Sequence, residues 1–120
     1  MFDHVGLRVA DLPASIRFYT ALLGPLGHVP GPQGADYAGF GPEGSPALWL
    51  HAGARPNGAG CHLAFVAPDR GAVQRFHAAG LAAGGRDNGA PGPRPDYGPT
   101  YYAAFIIDAD GNNVEAVCLD

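Results

Sequence analysis

The sequence predicts an α+β fold in which two βαβββ modules form one domain. The segments 4–11 and 62–69 both run from a His, through apolar residues, to an Asp seven positions later. Each segment is followed by apolar residues at helical spacing, and then by short β-rich pieces between Gly/Pro-rich turns. Such self-similarity indicates one supersecondary unit used twice. A chain of 120 residues suits a single domain, with modules at about 1–53 and 60–120.

The elements of the first module follow from its periodicity. Residues 2–10 read as a strand in which His4, Gly6 and Arg8 share one face. Asp11 then supplies an N-cap, an early Pro follows, and the helix ends before Gly24. We expect the remaining strands in the short apolar pieces 26–29, 37–40 and 47–51.

The second module repeats this order with a longer irregular part. Residues 60–67 predict a strand, and Pro68 and Asp69 open a helix that ends before Gly84. The Gly/Pro-rich residues 86–99 predict a long loop with at most a short strand, and therefore a candidate lid. Two further strands at 100–107 and 113–119 are joined by a hairpin turn in which Gly111 can take a positive φ.

Composition excludes several functional classes. A net charge of −4 and no Arg cluster argue against nucleic acid or an anionic membrane surface as partner. The chain has no Lys, which excludes Schiff-base chemistry and the phosphate-binding loop that ends in Gly-Lys. We expect no transmembrane span, because no apolar run approaches 20 residues, and no secretory signal, which makes the cytoplasm the expected compartment.

One carboxylate lies within an apolar predicted strand, where burial of its charge would cost free energy. Glu115 sits in the apolar run 114–117, so it needs a partner if the strand is buried. His4 and His62 each begin a predicted strand, and two imidazoles with one carboxylate suit Zn²⁺, Ni²⁺, Mn²⁺, Co²⁺ or Fe²⁺. A lone His on a strand is more often a hydrogen-bonded core residue than a metal ligand, so the residues by themselves leave both interpretations open.

The repeated His-to-Asp segments, together with the C-terminal pattern D-x-D-G-N-x-x-E over 108–115, resemble the glyoxalase/bleomycin-resistance/extradiol-dioxygenase group, the vicinal oxygen chelate superfamily. Ala109 stands where the family pattern has Pro. The resemblance covers nearly the whole chain. It implies that the modules curl into a partly open, barrel-like sheet of eight strands with the helices outside, and that His4, His62 and Glu115 bind a divalent metal.

The resemblance also implies roles for further residues. Many relatives place a fourth ligand where this chain has Trp49, which cannot bind a metal; His51 is either a substitute ligand or a substrate contact. Arg8 matches a contact to anionic substrates, although an internal salt bridge is an alternative. Tyr101 and Phe105 are expected to face the cavity and, together with Trp49, to shape the substrate-binding pocket.

The function that the resemblance implies is a glyoxalase-like, metal-dependent lyase or isomerase. Its substrate would be a small oxygenated, anionic compound that chelates the metal, and a displaced Glu115 would act as the catalytic base. Two alternatives remain open: a metal-free binding protein of the bleomycin-resistance type, and a ring-cleaving dioxygenase, although dioxygenases of this group are usually longer chains. Relatives of this length generally form homodimers, so a homodimer is expected.

Overall fold

The structure is a computed structural model that describes residues 1–53 and 60–120, and it contains two βαβββ modules. The first module consists of β1 (Val5–Val9), α1 (Leu12–Leu23), β2 (Val29–Gln33), β3 (Tyr37–Gly41) and β4 (Leu48–Ala52). The second consists of β5 (His62–Val66), α2 (Arg70–Ala82), β6 (Arg86–Pro93), β7 (Tyr102–Ile107) and β8 (Asn113–Cys118). The predicted α+β class and the repeat are confirmed.

The eight strands form two four-stranded sheets and do not close into a barrel. Sheet 1 has the order β1-β4-β3-β2 and sheet 2 the order β5-β8-β7-β6, so each module builds one sheet by the same rule. The first and last strands of each module pair in parallel, and the other neighbours are antiparallel. Each sheet packs its own helix on one side, and α1 and α2 pack against each other. We call the side of each sheet turned away from its helix the open face.

Both helices begin as the sequence predicts. The Asp11 side chain accepts a hydrogen bond from the backbone N–H of Ala14 at 3.0 Å, and Asp69 accepts one from Ala72 at 2.7 Å. These bonds satisfy amide groups that the first helical turn leaves without partners. The core lies on the helix side of the sheets, where alternate strand residues are buried, and its largest fully buried side chains are Tyr19, Phe40, Phe76, Leu7, Leu22, Leu23, Leu50 and Ile106.

Two predictions of strand position were wrong. The expected strand at 26–29 instead begins at Val29, after a 3₁₀ turn over Gly24–Leu26. Residues 86–99 were expected to be mainly a loop and a candidate lid, but Arg86–Pro93 is an eight-residue strand of sheet 2. The reason is the same in both cases: β2 and β6 are edge strands, which tolerate Pro and irregular register because one side of the strand needs no partner.

No helix in the described parts of the chain is long and apolar enough to cross a lipid bilayer.

A buried carboxylate connects the two modules. Asp108, at the start of the turn between β7 and β8, accepts a hydrogen bond from the Tyr19 hydroxyl of α1 at 2.6 Å. It also accepts bonds from the backbone N–H groups of Asp110 and Asn112, at 3.0 and 2.8 Å. Burial and the nearby Asp108 carboxylate raise the pKa of Tyr19 far above its usual value of 10, so the phenol stays a hydrogen-bond donor.

The Tyr19→Phe substitution removes this donor without changing the shape of the ring. A hydrogen bond to a charged group typically contributes about 1.5–3 kcal/mol, and we expect a loss of that size in the free energy of unfolding. Urea denaturation followed by circular dichroism measures it. Tyr37→Phe is the matched control, because Tyr37 is partly exposed and, within residues 1–53 and 60–120, its ring contacts Trp49 but its hydroxyl has no hydrogen-bond partner. Equal stability of the two variants would contradict the assignment.

Candidate functional site

The open face of sheet 2 carries a single acidic group at its centre. Glu115 lies in the middle of β8, with Ala64 of β5 opposite on one side and Phe105 of β7 opposite on the other. The flanking positions on β8 that share this face are Asn113 and Val117. Glu115 is only 2% exposed, so the side chains around it must compensate the cost of burying its carboxylate.

Two side chains contact the Glu115 carboxylate. The Nε2 atom of His62 lies 3.0 Å from Oε1, and the Tyr101 hydroxyl donates a hydrogen bond to Oε2 at 2.5 Å. Burial, and next the hydrogen bond to Glu115, raise the pKa of Tyr101 to about 12. Tyr101 therefore stays protonated and fixes one oxygen of the carboxylate, while the other oxygen faces His62.

The orientation of His62 is set by the neighbouring strand. Its Nδ1 atom lies 3.0 Å from the backbone carbonyl oxygen of Asn113, so Nδ1 carries the hydrogen that is donated to this oxygen. In the neutral ring, Nε2 then has a lone pair that points at a carboxylate oxygen 3.0 Å away. Two lone pairs that face each other at this distance repel, so a shared proton or a cation bound by both groups would be needed to stabilise the contact.

Aromatic rings and one guanidinium border this polar centre. The rings of His62 and Phe105 are stacked with their centroids 6.3 Å apart, and the guanidinium carbon of Arg94 lies 5.3 Å from the Phe105 centroid. Tyr97 packs edge-on against Tyr101 at 5.3 Å. The result is a half-exposed polar site with an aromatic floor, as expected where a small molecule binds.

The open face of sheet 1 has a different character. Arg8, His51 and Tyr37 are cross-strand neighbours in one row, and Gly6, Trp49 and Gly39 form the next row. The indole of Trp49 lies across β3: a Cβ atom added to Gly39 would be only 2.8 Å from the Trp49 ring. The absence of a side chain at Gly39 therefore leaves the space that the indole occupies on the sheet.

His4 contacts Asp3 and borders a separate cavity. It precedes β1, and its Nδ1 atom is 2.6 Å from the Asp3 carboxylate. It borders a mainly apolar cavity of about 220 Å³ that is also lined by His28, Leu63 and Phe65. Burial lowers the pKa of His28 below its usual value of 6.5. Within 1–53 and 60–120, no three His, Cys, Asp or Glu side chains converge to hold a metal ion.

The structure thus separates the predicted site residues into groups. One group is on sheet 2 and consists of His62, Glu115, Tyr101 and Phe105; the other is on sheet 1 and consists of Arg8, Trp49 and His51. His4 joins neither group. Sequence reasoning missed Arg94, because the Gly/Pro content of its surroundings indicated a loop. It also missed the carbonyl of Asn113, since a backbone acceptor leaves no signal in the residue type.

Two βαβββ modules with a polar residue cluster on an open face define the class of protein. The family model described as the Glyoxalase/Bleomycin resistance protein/Dioxygenase superfamily matches residues 1–116. The chain therefore belongs to this superfamily, and the predicted resemblance is confirmed. No curated protein matches the sequence.

Solved structures agree with this membership. A glyoxalase/bleomycin resistance protein from Albidiferax ferrireducens is 33% identical, covers 98% of both chains and has a TM-score of 0.85. A glyoxalase/bleomycin resistance protein/dioxygenase family enzyme from Burkholderia phytofirmans is 17% identical over 98% of both chains, with a TM-score of 0.76. A glyoxalase-related enzyme from Fulvimarina pelagi is 21% identical over 95% of this chain and 84% of its own, with a TM-score of 0.73. The last two support the fold alone.

The position of Trp49 gives a direct test of the sheet 1 face. In a Gly39→Ala variant the added Cβ would collide with the ring, so the indole must move. Trp49 is the only Trp in the chain, and a shift of its fluorescence emission maximum reports the movement. Gly24→Ala is the control, because a Cβ there meets nothing within 4 Å. Unchanged emission in both variants would refute the described packing.

Proposed function

We propose that this chain is a glyoxalase-like, metal-dependent enzyme of the lyase or isomerase type that acts on a small oxygenated, anionic substrate. The observation that carries the proposal is the pair formed by His62 and Glu115 on the open face of sheet 2. A buried carboxylate and a half-exposed imidazole, 3.0 Å apart, meet where solvent and a small molecule have access. Membership of the superfamily supports the same type of function.

The donor chemistry of this pair suits a divalent metal. One imidazole nitrogen and one carboxylate oxygen are ligands for Zn²⁺, Ni²⁺, Mn²⁺, Co²⁺ and Fe²⁺. The hydrogen bond from Nδ1 to the Asn113 carbonyl is the arrangement that orients metal-binding histidines, because it leaves Nε2 free to bind. When bound, such an ion would polarise the substrate oxygens that coordinate it.

The side chains around the pair have separate tasks in this proposal. Tyr101 holds one oxygen of Glu115, so the other oxygen is directed toward His62 and the substrate. Glu115 is the group that would accept a proton from the substrate, since it is the one carboxylate at the centre of this face. Phe105 forms the floor against which an apolar part of the substrate would pack.

Metal analysis tests this assignment. We expect the purified protein to hold divalent metal in stoichiometric amount after dialysis, measured by inductively coupled plasma mass spectrometry. The variants His62→Ala and Glu115→Ala should each lose it, because each removes a ligand. His77→Ala is the matched control: His77 is bound to Asp87 at 2.9 Å and belongs to α2.

Retention of the full metal content by a His62→Ala/Glu115→Ala double variant would show that the ligands lie elsewhere. Loss of metal from His77→Ala as well would show that the losses reflect unfolding. The melting temperature of each variant, measured by circular dichroism, separates these outcomes.

We further propose that the working form is a homodimer, in which His4 of the partner subunit supplies the third ligand. Two observations support this. The His4 side chain is 58% exposed just before the edge strand β1, and within residues 1–53 and 60–120 it does not form a group of three potential ligands with His62 and Glu115 of its own chain. The open faces of both sheets also leave large side chains exposed, among them Val66 at 79%.

Proline distribution identifies the strand edges that are available for pairing. The outer edge strand of sheet 1, β2, contains Pro30 and Pro32, and that of sheet 2, β6, contains Pro91 and Pro93. Pro lacks the N–H that an added strand would need, so these edges are blocked. The inner edge strands, β1 and β5, contain no Pro.

Light scattering coupled to size-exclusion chromatography tests the dimer. We expect Val66→Lys to shift the protein from dimer to monomer, since a Lys on an edge strand opposes pairing. Val29→Lys is the control, because Val29 is also exposed, at 41%, but lies on the blocked edge strand β2. A monomeric parent protein, or equal dissociation of both variants, would contradict this part of the proposal.

A second function is favoured by one observation. The metal-ligating side chains of the described residues do not form a set of three, while Trp49 and Tyr37 pack on an open face with their rings 6.3 Å apart. A metal-free binding protein of the bleomycin-resistance type would use such aromatic surface to hold a drug. Metal-free protein with tight binding of bleomycin, measured by isothermal titration calorimetry, would establish this alternative in place of the enzyme.

A further inference from the structure

Arg94 is held rigidly at the rim of the sheet 2 site. It follows β6, and its backbone N–H donates to the carbonyl of Tyr101 at 2.7 Å, which ties it to the residue that binds Glu115. Its guanidinium donates to the carbonyl oxygens of Ala90 and Gly92 at 2.8 and 2.9 Å. The side chain therefore has little rotational freedom left to lose when it binds a ligand.

The packing around Arg94 depends on a glycine. A Cβ atom added to Gly89 would lie 2.8 Å from the Phe105 ring and 3.1 Å from an Arg94 nitrogen, and the φ of Gly89 is +155°. This residue opposes Phe105 in the pairing of β6 with β7. The backbone of β6 thus leaves room for the guanidinium to lie beside the Phe105 ring.

The charge of Arg94 is not neutralised within the part of the chain that the structure describes. In that part the guanidinium contacts carbonyl oxygens and the Phe105 ring, and none of these contacts is with a carboxylate. The residues outside that part, 54–59, include no Asp or Glu. The carboxylate of Glu115 is engaged by His62 and Tyr101 instead.

We infer that Arg94 is the residue that selects an anionic substrate at this site, by binding a carboxylate or another oxyanion above Phe105. A half-buried, rigid guanidinium without an anionic partner attracts such a group, and its remaining N–H donors can bind two oxygens at once. The inference rests on the proposed function, because it concerns the same face as His62 and Glu115. It assigns anion recognition to sheet 2, whereas the sequence pointed to Arg8 on sheet 1.

The test compares two probes of equal shape and different charge, benzoate and benzamide. Both are titrated into the full-length protein, and binding is followed by the chemical shifts of backbone amides in β7 and β8. We expect the parent to bind benzoate at least tenfold more tightly than benzamide, as a charge-assisted hydrogen bond predicts when converted to affinity. Arg94→Gln should abolish this preference by weakening benzoate binding about tenfold and leaving benzamide binding unchanged.

Two further variants complete the design. Arg86→Gln, an exposed Arg at the start of β6, is the matched control and should keep the preference for benzoate. Arg94→Lys retains the charge and should keep part of the preference, which a merely structural role would not explain. An unchanged preference in Arg94→Gln, or no preference in the parent, would overturn the inference.

Two additional readouts separate this inference from the proposed function. The metal content of Arg94→Gln should equal that of the parent, since Arg94 is not a ligand. If His62 and Glu115 prove not to bind metal but the preference for benzoate still depends on Arg94, Arg94 forms an anion-binding site that does not depend on the proposed enzyme activity. If Arg8→Gln loses the preference and Arg94→Gln keeps it, anion recognition belongs to sheet 1 and the inference is wrong.

Discussion

The buried Asp108 carboxylate is the constraint on which the two-module architecture depends. Each sheet packs its own helix, and the contacts that cross between modules, among them the packing of α1 on α2, fix their relative position. Asp108 accepts hydrogen bonds from the Tyr19 hydroxyl of α1 and from the backbone N–H of Asn112 in its own turn. The Asn112 side-chain oxygen in turn accepts a hydrogen bond from the backbone N–H of Cys61 at 2.8 Å. A carboxylate without water must satisfy its oxygens, so every donor in this network is held in place.

The same turn positions the candidate site. Asn113 follows Asn112, the last residue of this hydrogen-bonded turn, and begins β8. Its carbonyl orients His62, and Glu115 lies two residues later on the same strand. The D-x-D-G-N-x-x-E pattern therefore combines two parts with different roles. Its first part is a structural hydrogen-bonded turn, and its final Glu belongs to the open face of sheet 2. This explains how a motif of eight residues can indicate both fold and site.

Much of the fold follows from local sequence, because helix caps, glycine stops and strand alternation act over a few residues. Asp11, Asp69 and Gly111 behave as their residue types predict. The errors at β2 and β6 arose because Gly and Pro normally end strands, whereas a position at the edge of a sheet permits them. Whether a strand is an edge strand depends on tertiary topology, which local periodicity does not contain. For the site, parity placed His62 and Glu115 on one face, and their side chains are in contact. Parity does not contain the position of His4, which forms no group of three potential ligands within residues 1–53 and 60–120.

The prolines of β2 and β6 also limit how far strand addition can proceed. A sheet that accepts neighbours at both edges can grow without end, which is the geometry of fibres. Here the outer strand of each sheet contains two Pro, which oppose strand addition at that edge, whereas the inner edge strands β1 and β5 contain none. The choice of residue at four positions thereby opposes strand addition at two of the four sheet edges.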